Sequence, residues 1–384
     1  MLKALLLILA TAYSLQPNED DVSCTLDDGS IGECVPHHLC DINRFTVETG
    51  LAFITIYRNK SSPCLSYLDT CCPVPAERPP ENPITPKRVL QTPRTGCGWR
   101  NSQGVDLRTT GEKDGEAKFG EFPWMVAVME IKPVNPVQPE GPKQVVYVGG
   151  GSLISLNIVL TAAHIVARAK SLRIRAGEWD TQTTKEIYPF QDRDVASVEI
   201  HKDFNGANLF FDVALLFLTR PVDSAPHVGV ACLPSPQDYA LHGTRCFATG
   251  WGKEKFGKEG HYQTILRKVE LPVVEHNACQ TLLRMTRLSK HFKLHSSFIC
   301  AGGERGPEIC KGDGGSPLSC PIEAGSDRYM QSGIAAWRIG CGDEGNPGTY
   351  GNVAYLRDWI DEKVIANGFS TQSYIISYIY DIIS

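Results

Sequence analysis

Three short motifs along the 384-residue chain contain residue types that can carry out proton transfer and nucleophilic chemistry. In chain order they are TAAHIV with His164, FDVALLFL with Asp212, and CKGDGGSPLSC with Gly314 and Ser316. A histidine can remove the proton of a hydroxyl nucleophile, and an aspartate can orient the imidazole that does so. In isolation, His164 would be interpreted as a surface histidine and Asp212 as a capping aspartate, so each motif alone is weak evidence.

Cysteine is the second residue type with chemistry to perform. The chain has 14 cysteines, six between Cys24 and Cys72 and eight between Cys97 and Cys341. An even number in an exported chain predicts a disulfide framework, because extracellular surroundings are oxidising. Zinc bound at the adjacent Cys71 and Cys72 is the alternative interpretation.

The N-terminus indicates export. Residues 1–14, MLKALLLILATAYS, place one lysine before an apolar run and small residues at Ala12 and Ser14, which predicts a signal peptide cleaved near Ser14. A buried N-terminal helix is the alternative, and the run is too short to span a bilayer. The net charge of −5 indicates no basic surface for nucleic acid. We therefore expect a secreted, extracellular protein with neither membrane insertion nor a nucleic-acid partner.

Composition divides the rest of the chain into segments. Residues 22–73 contain six cysteines and are too few to form a stable core unaided, so disulfides would have to hold them. Residues 74–108 are rich in proline and polar residues, which predicts an extended linker. Residues 109–368 alternate short apolar runs with glycine, proline, aspartate and asparagine turns, which predicts an all-β domain.

Two features close the sequence. The segment VAYLRDWIDEKVIANG has apolar residues at helical spacing and a stop signal at Gly368, which predicts one helix near the end. Residues 369–384 then form a tail rich in aromatic residues and isoleucine. Three roles remain open for this tail: packing on the body of the protein, binding a partner, or a disordered end.

Taken in order, the three motifs resemble the histidine, aspartate and serine segments of trypsin-like serine proteases, between about Gly96 and Gly368. FGEFPWMVAV, ATGWG, Trp337 and PGTYGNV match other segments of that family. Residues 22–73, which end in adjacent cysteines, resemble the clip domain that precedes such proteases in arthropods. The resemblance implies a trypsin-like double Greek-key β-barrel with a C-terminal helix, preceded by a small disulfide-knotted clip domain.

The resemblance assigns a degenerate catalytic triad to His164, Asp212 and Gly314. Where the family has GDSGGP this chain has GDGGSP, so Gly314 stands in place of the nucleophilic serine. Two residues of extended chain displace a side chain by about 6.5 Å, whereas a nucleophile and its base must approach to about 3 Å. Ser316 therefore cannot substitute without a rebuilt loop, and we expect a pseudo-protease.

Other departures affect the substrate pocket that the resemblance implies. Ala336 replaces the serine that the family usually places before Trp337, and Arg338 follows where a glycine leaves the channel open. We expect Arg338 to obstruct the pocket entrance, with a side chain turned into solvent as the alternative. Glu308 occupies the base of the pocket, and we interpret it as a relic or a structural ion-pair partner.

The resemblance also implies the disulfide pairing. The implied bridges are Cys24–Cys71, Cys34–Cys64 and Cys40–Cys72 in the clip domain, and Cys97–Cys232, Cys246–Cys320, Cys279–Cys300 and Cys310–Cys341 in the protease-like domain. All 14 cysteines are then used. The bridge that the family usually places beside its histidine is absent, because Gly149 and Ile165 stand at its two positions.

Activation cleavage is expected after Arg108, where Arg-Thr-Thr-Gly occupies the junction that the family cleaves. In relatives the new N-terminus inserts beside the residue that corresponds to Asp313, but here Thr109 is polar where the family has isoleucine or valine. We therefore expect weaker insertion. Cleavage after Arg88 or Arg94 in the exposed linker is the alternative.

Two smaller signals concern modification and metal binding. Asn59 begins an N-glycosylation sequon. Glu178, Asp180 and Glu186 lie in a loop where some relatives bind calcium through oxygen ligands, with solvated surface carboxylates as the alternative. No cofactor is expected to be required.

The resemblance implies a binding function rather than hydrolysis. Clip-domain serine protease homologues act as cofactors or adaptors in an extracellular immune cascade of arthropods, often the activation of prophenoloxidase for melanisation. The expected partners are other clip-domain proteases and prophenoloxidase in the haemolymph, with oligomerisation after cleavage. Two alternatives remain: an active serine hydrolase with a non-standard nucleophile, and a decoy or negative regulator of the cascade.

Overall fold

The computed structural model describes twelve stretches of the chain, and the two compact units into which it divides are Met1–Leu90 and Gln91–Ser384. The described residues are 23–25, 31–36, 69–73, 95–105, 115–135, 137, 140–182, 186–238, 240–252, 263–304, 313–340 and 344–376. Several predictions fall on residues outside these ranges: the signal peptide at 1–14, the sequon at Asn59, the cleavage sites at Arg88, Arg94 and Arg108, pocket residue Glu308, and the Cys310–Cys341 bridge.

The first unit contains a three-stranded antiparallel sheet. Its strands are β1 (Ser23–Thr25), β2 (Ile31–Pro36) and β3 (Asp69–Pro73), in the spatial order β1-β2-β3. The register places Cys34 of β2 opposite Cys71 of β3. The sheet therefore brings strands with predicted bridge cysteines side by side, although the three predicted clip-domain bridges rest on side chains outside the described part of the chain.

Six antiparallel strands close the first barrel of the second unit. They are β4 (Met125–Pro133), β5 (Lys143–Ser155), β6 (Ile158–Thr161), β7 (Leu172–Ala176), β8 (Gln191–Ile200) and β9 (Ala214–Leu218). The spatial order is β4-β5-β6-β9-β8-β7. β6 and β9 are buried along their whole length and β7 alternates between buried and half-buried residues, so inward side chains fill the barrel.

A second barrel has the same number of strands and the same order of pairing. Its strands are β10 (Arg245–Gly250), β11 (Arg267–Val274), β12 (Phe298–Gly302), β13 (Pro317–Pro321), β14 (Tyr329–Trp337) and β15 (Pro347–Asn352). They close in the order β10-β11-β12-β15-β14-β13. The predicted all-β barrel fold is therefore confirmed.

Three α-helices accompany the barrels in the described residues: α1 (Ala163–Val166), α2 (His276–Arg284) and α3 (Val353–Ala366). α3 is the predicted C-terminal helix, and the side chain of Asn352 caps it by accepting a hydrogen bond from the Tyr355 backbone N–H at 3.2 Å. The buried face of α3 joins one apolar cluster with β6, β9 and Ile334 of β14. The helix is thus held by apolar contacts with both barrels. No helix of the described residues is long and apolar enough to cross a membrane.

The first part of the tail packs on the barrels. After Gly368 the chain forms a 3-10 helix, Thr371–Tyr374, and the Tyr374 side chain is fully buried. The Tyr374 hydroxyl donates to Asp361 Oδ1 at 2.8 Å, and its carbonyl accepts from the Leu233 backbone N–H at 2.9 Å. Of the three roles left open for the tail, packing therefore applies to the residues as far as 376.

Substituting Tyr374 measures how much this anchor stabilises the fold. We expect Tyr374→Ala to lower the free energy of unfolding by about 3–5 kcal/mol, because a fully buried aromatic side chain leaves a cavity. Tyr374→Phe removes only the bond to Asp361 and is expected to cost about 1–3 kcal/mol. Guanidinium unfolding with intact disulfides distinguishes the two variants. Equal losses in both would mean that the ring contributes nothing by packing.

Candidate functional site

His164 and Asp212 meet because the strands beside them are neighbours. β6 ends one residue before α1, which carries His164, and Asp212 lies just before β9. The register pairs Thr161 of β6 with Ala214 of β9. The His164 ring Nδ1 lies 2.6 Å from Asp212 Oδ2, and the His164 backbone N–H donates to Asp212 Oδ1 at 2.8 Å. Because an ionised carboxylate only accepts, Nδ1 carries the proton. The carboxylate thereby fixes the orientation of the imidazole.

Gly314 lies directly against this imidazole. A Cβ added at Gly314 would be 2.6 Å from His164 Nε2 and 3.1 Å from Ile165 Cγ2. Real Cβ atoms do not approach a neighbour so closely, so the imidazole occupies space that a side chain at position 314 would need. The structure thus brings together His164, Asp212 and Gly314, the three residues that the sequence motifs singled out. Because Gly314 is a glycine, it presents no side chain to His164 Nε2.

Gly149 and Ile165, the pair predicted to replace a disulfide, are in contact. A Cβ added at Gly149 would be 2.7 Å from Ile165 Cδ1 and 2.5 Å from the Gly314 carbonyl oxygen. That carbonyl also accepts a hydrogen bond from the Gly150 backbone N–H at 2.9 Å. The isoleucine side chain therefore packs between β5 and residues 313–316, where the family places a covalent bridge.

Ser316 is sealed inside the protein. Its side chain is fully buried, and its Oγ has no hydrogen-bond partner among the described residues. The hydroxyl points at the backbone of β5, because a Cβ added at Gly150 would lie 2.0 Å from Ser316 Oγ. A buried hydroxyl in this position is not accessible to a substrate, which agrees with the distance argument from the sequence.

The carboxylate of Asp313 is seated against two glycines that the sequence analysis treated only as supporting positions. Asp313 Oδ1 accepts a hydrogen bond from the Gly252 backbone N–H at 2.6 Å. A Cβ at Gly250 or Gly252 would lie 2.0 Å or 2.1 Å from a carboxylate oxygen of Asp313. In the sequence, the ATGWG segment is the feature that could have indicated this contact, because its two glycines leave space for the Asp313 carboxylate.

Ala336, Trp337 and Arg338, the residues expected beside the substrate pocket, all lie in the described part of the chain. The Arg338 guanidinium Nη2 donates to the Asn346 carbonyl oxygen at 3.2 Å, so the side chain is fixed against the protein's own backbone. Trp337 packs edge-on against Phe292 and Phe298, with ring centroids 6.1 Å and 5.9 Å away. Ala336 packs against the same cluster. Obstruction of the pocket by Arg338 stays a prediction.

Among the described residues of the barrel unit, three disulfides are formed. They are Cys97–Cys232, Cys246–Cys320 and Cys279–Cys300, and each has the partner that the resemblance implied. Within the described residues no cysteine is free.

The carboxylates of the expected calcium loop are engaged within the protein. Arg175 Nη1 donates to Glu178 Oε2 at 3.1 Å, and the Trp179 backbone N–H donates to Glu178 Oε1 at 2.9 Å. Burial raises the pKa of Glu178 to about 7 against the opposing effect of Arg175. Glu186 Oε1 accepts from the Asp180 backbone N–H at 3.2 Å. Among the described residues no group of three or more histidine, cysteine, aspartate or glutamate side chains is arranged to hold a metal, and calcium binding stays a prediction.

Comparison with known families agrees with this geometry. The family model described as Trypsin matches residues 114–360, which is more than half of the chain. A second model, described as Serine protease Clip domain PPAF-2, matches residues 21–73. The chain is a clip-domain member of the trypsin family. The His164–Asp212 pair and Gly314 lie within the region that matches the trypsin model.

Three known proteins are similar to this chain over most of its length. It is 64% identical to Phenoloxidase-activating factor 2 of Galleria mellonella, over 78% of this chain and 99% of that protein. It is 34% identical to Inactive CLIP domain-containing serine protease A8 of Anopheles gambiae, over 90% and 92% of the two chains. It is 35% identical to Inactive CLIP domain-containing serine protease A28 of the same species, over 87% and 89%.

Because residues 313–316 pack closely against β5, a single methyl group added on β5 is expected to destabilise the protein. We expect Gly149→Ala to destabilise the protein by about 1–3 kcal/mol, because the added Cβ would meet the Gly314 carbonyl, a backbone atom that cannot yield cheaply. Gly206→Ala is the matched control, since its Cβ meets nothing closer than 3.9 Å. Its expected change is within about 0.5 kcal/mol. Chemical denaturation compares the two, and equal stabilities would contradict the close approach.

At two buried serines in this region, loss of the hydroxyl is expected to have opposite effects on the stability of the protein. We expect Ser316→Ala to leave stability unchanged or raise it by about 1 kcal/mol, because its Oγ is unpartnered among the described residues. Ser319→Ala removes the acceptor of the Trp124 indole N–H, a 3.2 Å bond, and is expected to cost about 1–3 kcal/mol. Thermal unfolding measures both variants. A large loss for Ser316→Ala would show that its hydroxyl does have a structural partner.

Proposed function

We propose that this protein is a non-catalytic serine protease homologue that acts as a secreted cofactor or adaptor in an extracellular innate-immune cascade. The cascade is the activation of prophenoloxidase, which leads to melanisation. This proposal rests on one observation: the residue next to His164 Nε2 is Gly314, which has no side chain. Gly314 stands at the position of the nucleophilic serine, so the base has no hydroxyl to deprotonate.

The remaining groups of the site cannot replace the nucleophile. His164 and Asp212 form a bonded pair, but in this mechanism they act only on a hydroxyl that attacks the substrate. Ser316 is buried and directed at Gly150. Loss of the nucleophile in a comparable triad lowers turnover by about a millionfold, which corresponds to about 8 kcal/mol of barrier. A serine hydrolase with another nucleophile is therefore the weaker alternative.

Several observations support an adaptor in this cascade. Two closed barrels, with their disulfides, provide a stable folded surface, and binding to such a surface requires no catalytic activity. One relative is named a phenoloxidase-activating factor, and two others are named inactive clip-domain proteases. The apolar run in residues 1–14 and the even number of cysteines support secretion into the haemolymph. The partners we propose are clip-domain proteases and prophenoloxidase, after cleavage in the linker that ends at Arg108.

A reconstituted cascade tests the adaptor function. Prophenoloxidase is incubated with an activating clip-domain protease, with and without this protein, and phenoloxidase activity is measured. We expect activity to rise when the protein is added, and Ser316→Ala to act like the wild type because that hydroxyl is buried. An inhibitor or decoy would slow the same reaction, and no effect at any concentration would count against both functions.

A serine-reactive phosphonate tests the absence of a nucleophile separately. The protein is treated with the probe before and after limited cleavage, and trypsin serves as the positive control. We expect no labelling, because the position facing His164 Nε2 has no hydroxyl. Stoichiometric labelling would overturn the non-catalytic assignment and support the hydrolase alternative.

A further inference from the structure

The segment that follows α2 concentrates positive charge in a chain whose net charge is negative. Between Glu275 and Glu304 no residue is acidic. Residues 284–293, which we call the basic loop, contain the cations Arg284, Arg287, Lys290 and Lys293. Without these four cations the net charge of −5 becomes −9 for the rest of the chain. The basic loop is therefore a local reversal of the charge of this protein.

Three of the four cations are available to a partner. Arg287, Lys290 and Lys293 are exposed, and none of these side chains forms an ion pair or hydrogen bond in the described part of the chain. Arg284 differs, because its Nε donates to the Phe292 carbonyl oxygen at 2.8 Å. It also lies in the last turn of α2, where a cation stabilises the helix dipole. That effect fades beyond the last turn, so it accounts for Arg284 and not for the three exposed cations.

Apolar contacts and turns fix the basic loop on the second barrel. Leu288 and Phe292 pack against the buried cluster of α2 and β12, which includes Leu283. The Phe292 ring also lies edge-on to Trp337, with ring centroids 6.1 Å apart. Backbone hydrogen bonds of 3.0 to 3.3 Å close successive turns along the loop. A loop fixed in this way loses little conformational freedom when a partner binds, which favours affinity.

Two further observations indicate a short acidic peptide segment as the partner, in preference to a long polyanion. Met285, two residues before Arg287, is 78% exposed, and a methionine side chain adapts to apolar groups of different shapes. A peptide has apolar side chains between its carboxylates, whereas a sulfated polysaccharide has none. A long polyanion would also extend beyond the basic loop onto a body of net charge −9, which repels it.

We propose that the basic loop binds an acidic segment of a partner protein through its three exposed cations and Met285. The placement of that partner in the cascade rests on the proposed adaptor function, whereas the binding chemistry rests on the loop alone. Single pairs of exposed charges contribute little to affinity, and charge complementarity mainly accelerates encounter. Salt screens such pairs beyond a distance of about 8 Å at physiological ionic strength. The interaction is therefore expected to be weak, rapidly formed and sensitive to salt.

A synthetic peptide tests the binding chemistry of the basic loop. In the probe, glutamates alternate with leucines, and its neutral control has glutamine in place of each glutamate. Fluorescence anisotropy measures binding to the full chain. We expect saturable binding of the acidic peptide that weakens at least about fivefold from about 0.1 M to about 1 M salt, because the screening length falls from about 10 Å to about 3 Å. Absence of binding, or equal binding of both peptides, would overturn the proposal.

A triple variant locates the binding surface. We expect the combination of Arg287→Gln, Lys290→Gln and Lys293→Gln to weaken binding of the acidic peptide at least about fivefold, because it removes the three exposed cations. The unfolding midpoint is expected to stay close to that of the wild type, since these side chains have no partner in the described part of the chain.

A matched triple variant controls for net charge. It combines Lys170→Gln, Lys202→Gln and Arg220→Gln, at exposed residues that follow α1, β8 and β9 and whose side chains are likewise unpaired among the described residues. It removes one arginine and two lysines, as the test variant does. We expect peptide binding within about twofold of the wild type. Equal losses in the two triple variants would show that net charge alone drives binding and would overturn the proposal.

Three measurements distinguish an acidic segment from other occupants of the loop. Met285→Ser is expected to weaken binding of the acidic peptide at least about threefold, because it removes the exposed apolar side chain. An unchanged affinity in this variant, or tighter binding of dextran sulfate than of the peptide at physiological salt, would overturn the choice of an acidic peptide. Self-association in sedimentation that the triple variant of the basic loop abolishes would assign the loop to a second copy and overturn the proposal as well.

The reconstituted cascade connects the basic loop to the proposed adaptor function. We expect the triple variant of the basic loop to raise phenoloxidase activity less than the wild type and the matched control do. Equal activity would overturn the placement of the acidic partner in this cascade. If the wild type itself has no effect, the adaptor function fails while the peptide titration still decides the binding chemistry. If the acidic peptide does not bind, the present proposal fails whatever the cascade shows.

Discussion

Residues 313–316 are held by both barrels at once, and the geometry of the site depends on that constraint. From the second barrel, the Gly252 backbone N–H binds the carboxylate of Asp313. From the first barrel, the Gly150 backbone N–H binds the Gly314 carbonyl. These two bonds hold Gly314 beside His164, and Ser316 is fully buried next to them. The absence of an accessible hydroxyl is therefore a property of the packed backbone as well as of one residue type.

The retained His164–Asp212 pair has a structural reason that is independent of catalysis. Asp212 is almost completely buried, and both of its oxygens accept hydrogen bonds from His164. Removing the histidine would leave a buried carboxylate with fewer partners, which is costly in a low-dielectric interior. The pair therefore stabilises the junction between β6 and β9 independently of any catalytic role. Ile165 on the next position likewise supports the same turn by packing instead of by a disulfide.

Much of the fold and of the site was predictable from the sequence because the informative patterns are local or carried by an ordered set of motifs. Alternating apolar runs predicted the barrel strands, and the spacing of apolar residues predicted α3. The three ordered motifs placed His164, Asp212 and Gly314 together, as the structure also does. The clip module was likewise recognisable from its six cysteines, and the matching family model covers residues 21–73.

The sequence by itself determined the barrel architecture, the family and the absence of a hydroxyl at position 314. Only the tertiary structure decided where side chains point and what they meet. The direction of the Ser316 hydroxyl, the contact of Arg338 with Asn346 and the pairing of Glu178 with Arg175 belong to this second group. So does the burial of Tyr374, which packs the first part of the tail on the barrels. These features depend on contacts between segments far apart in the chain, and no local pattern records which of the available partners a side chain reaches.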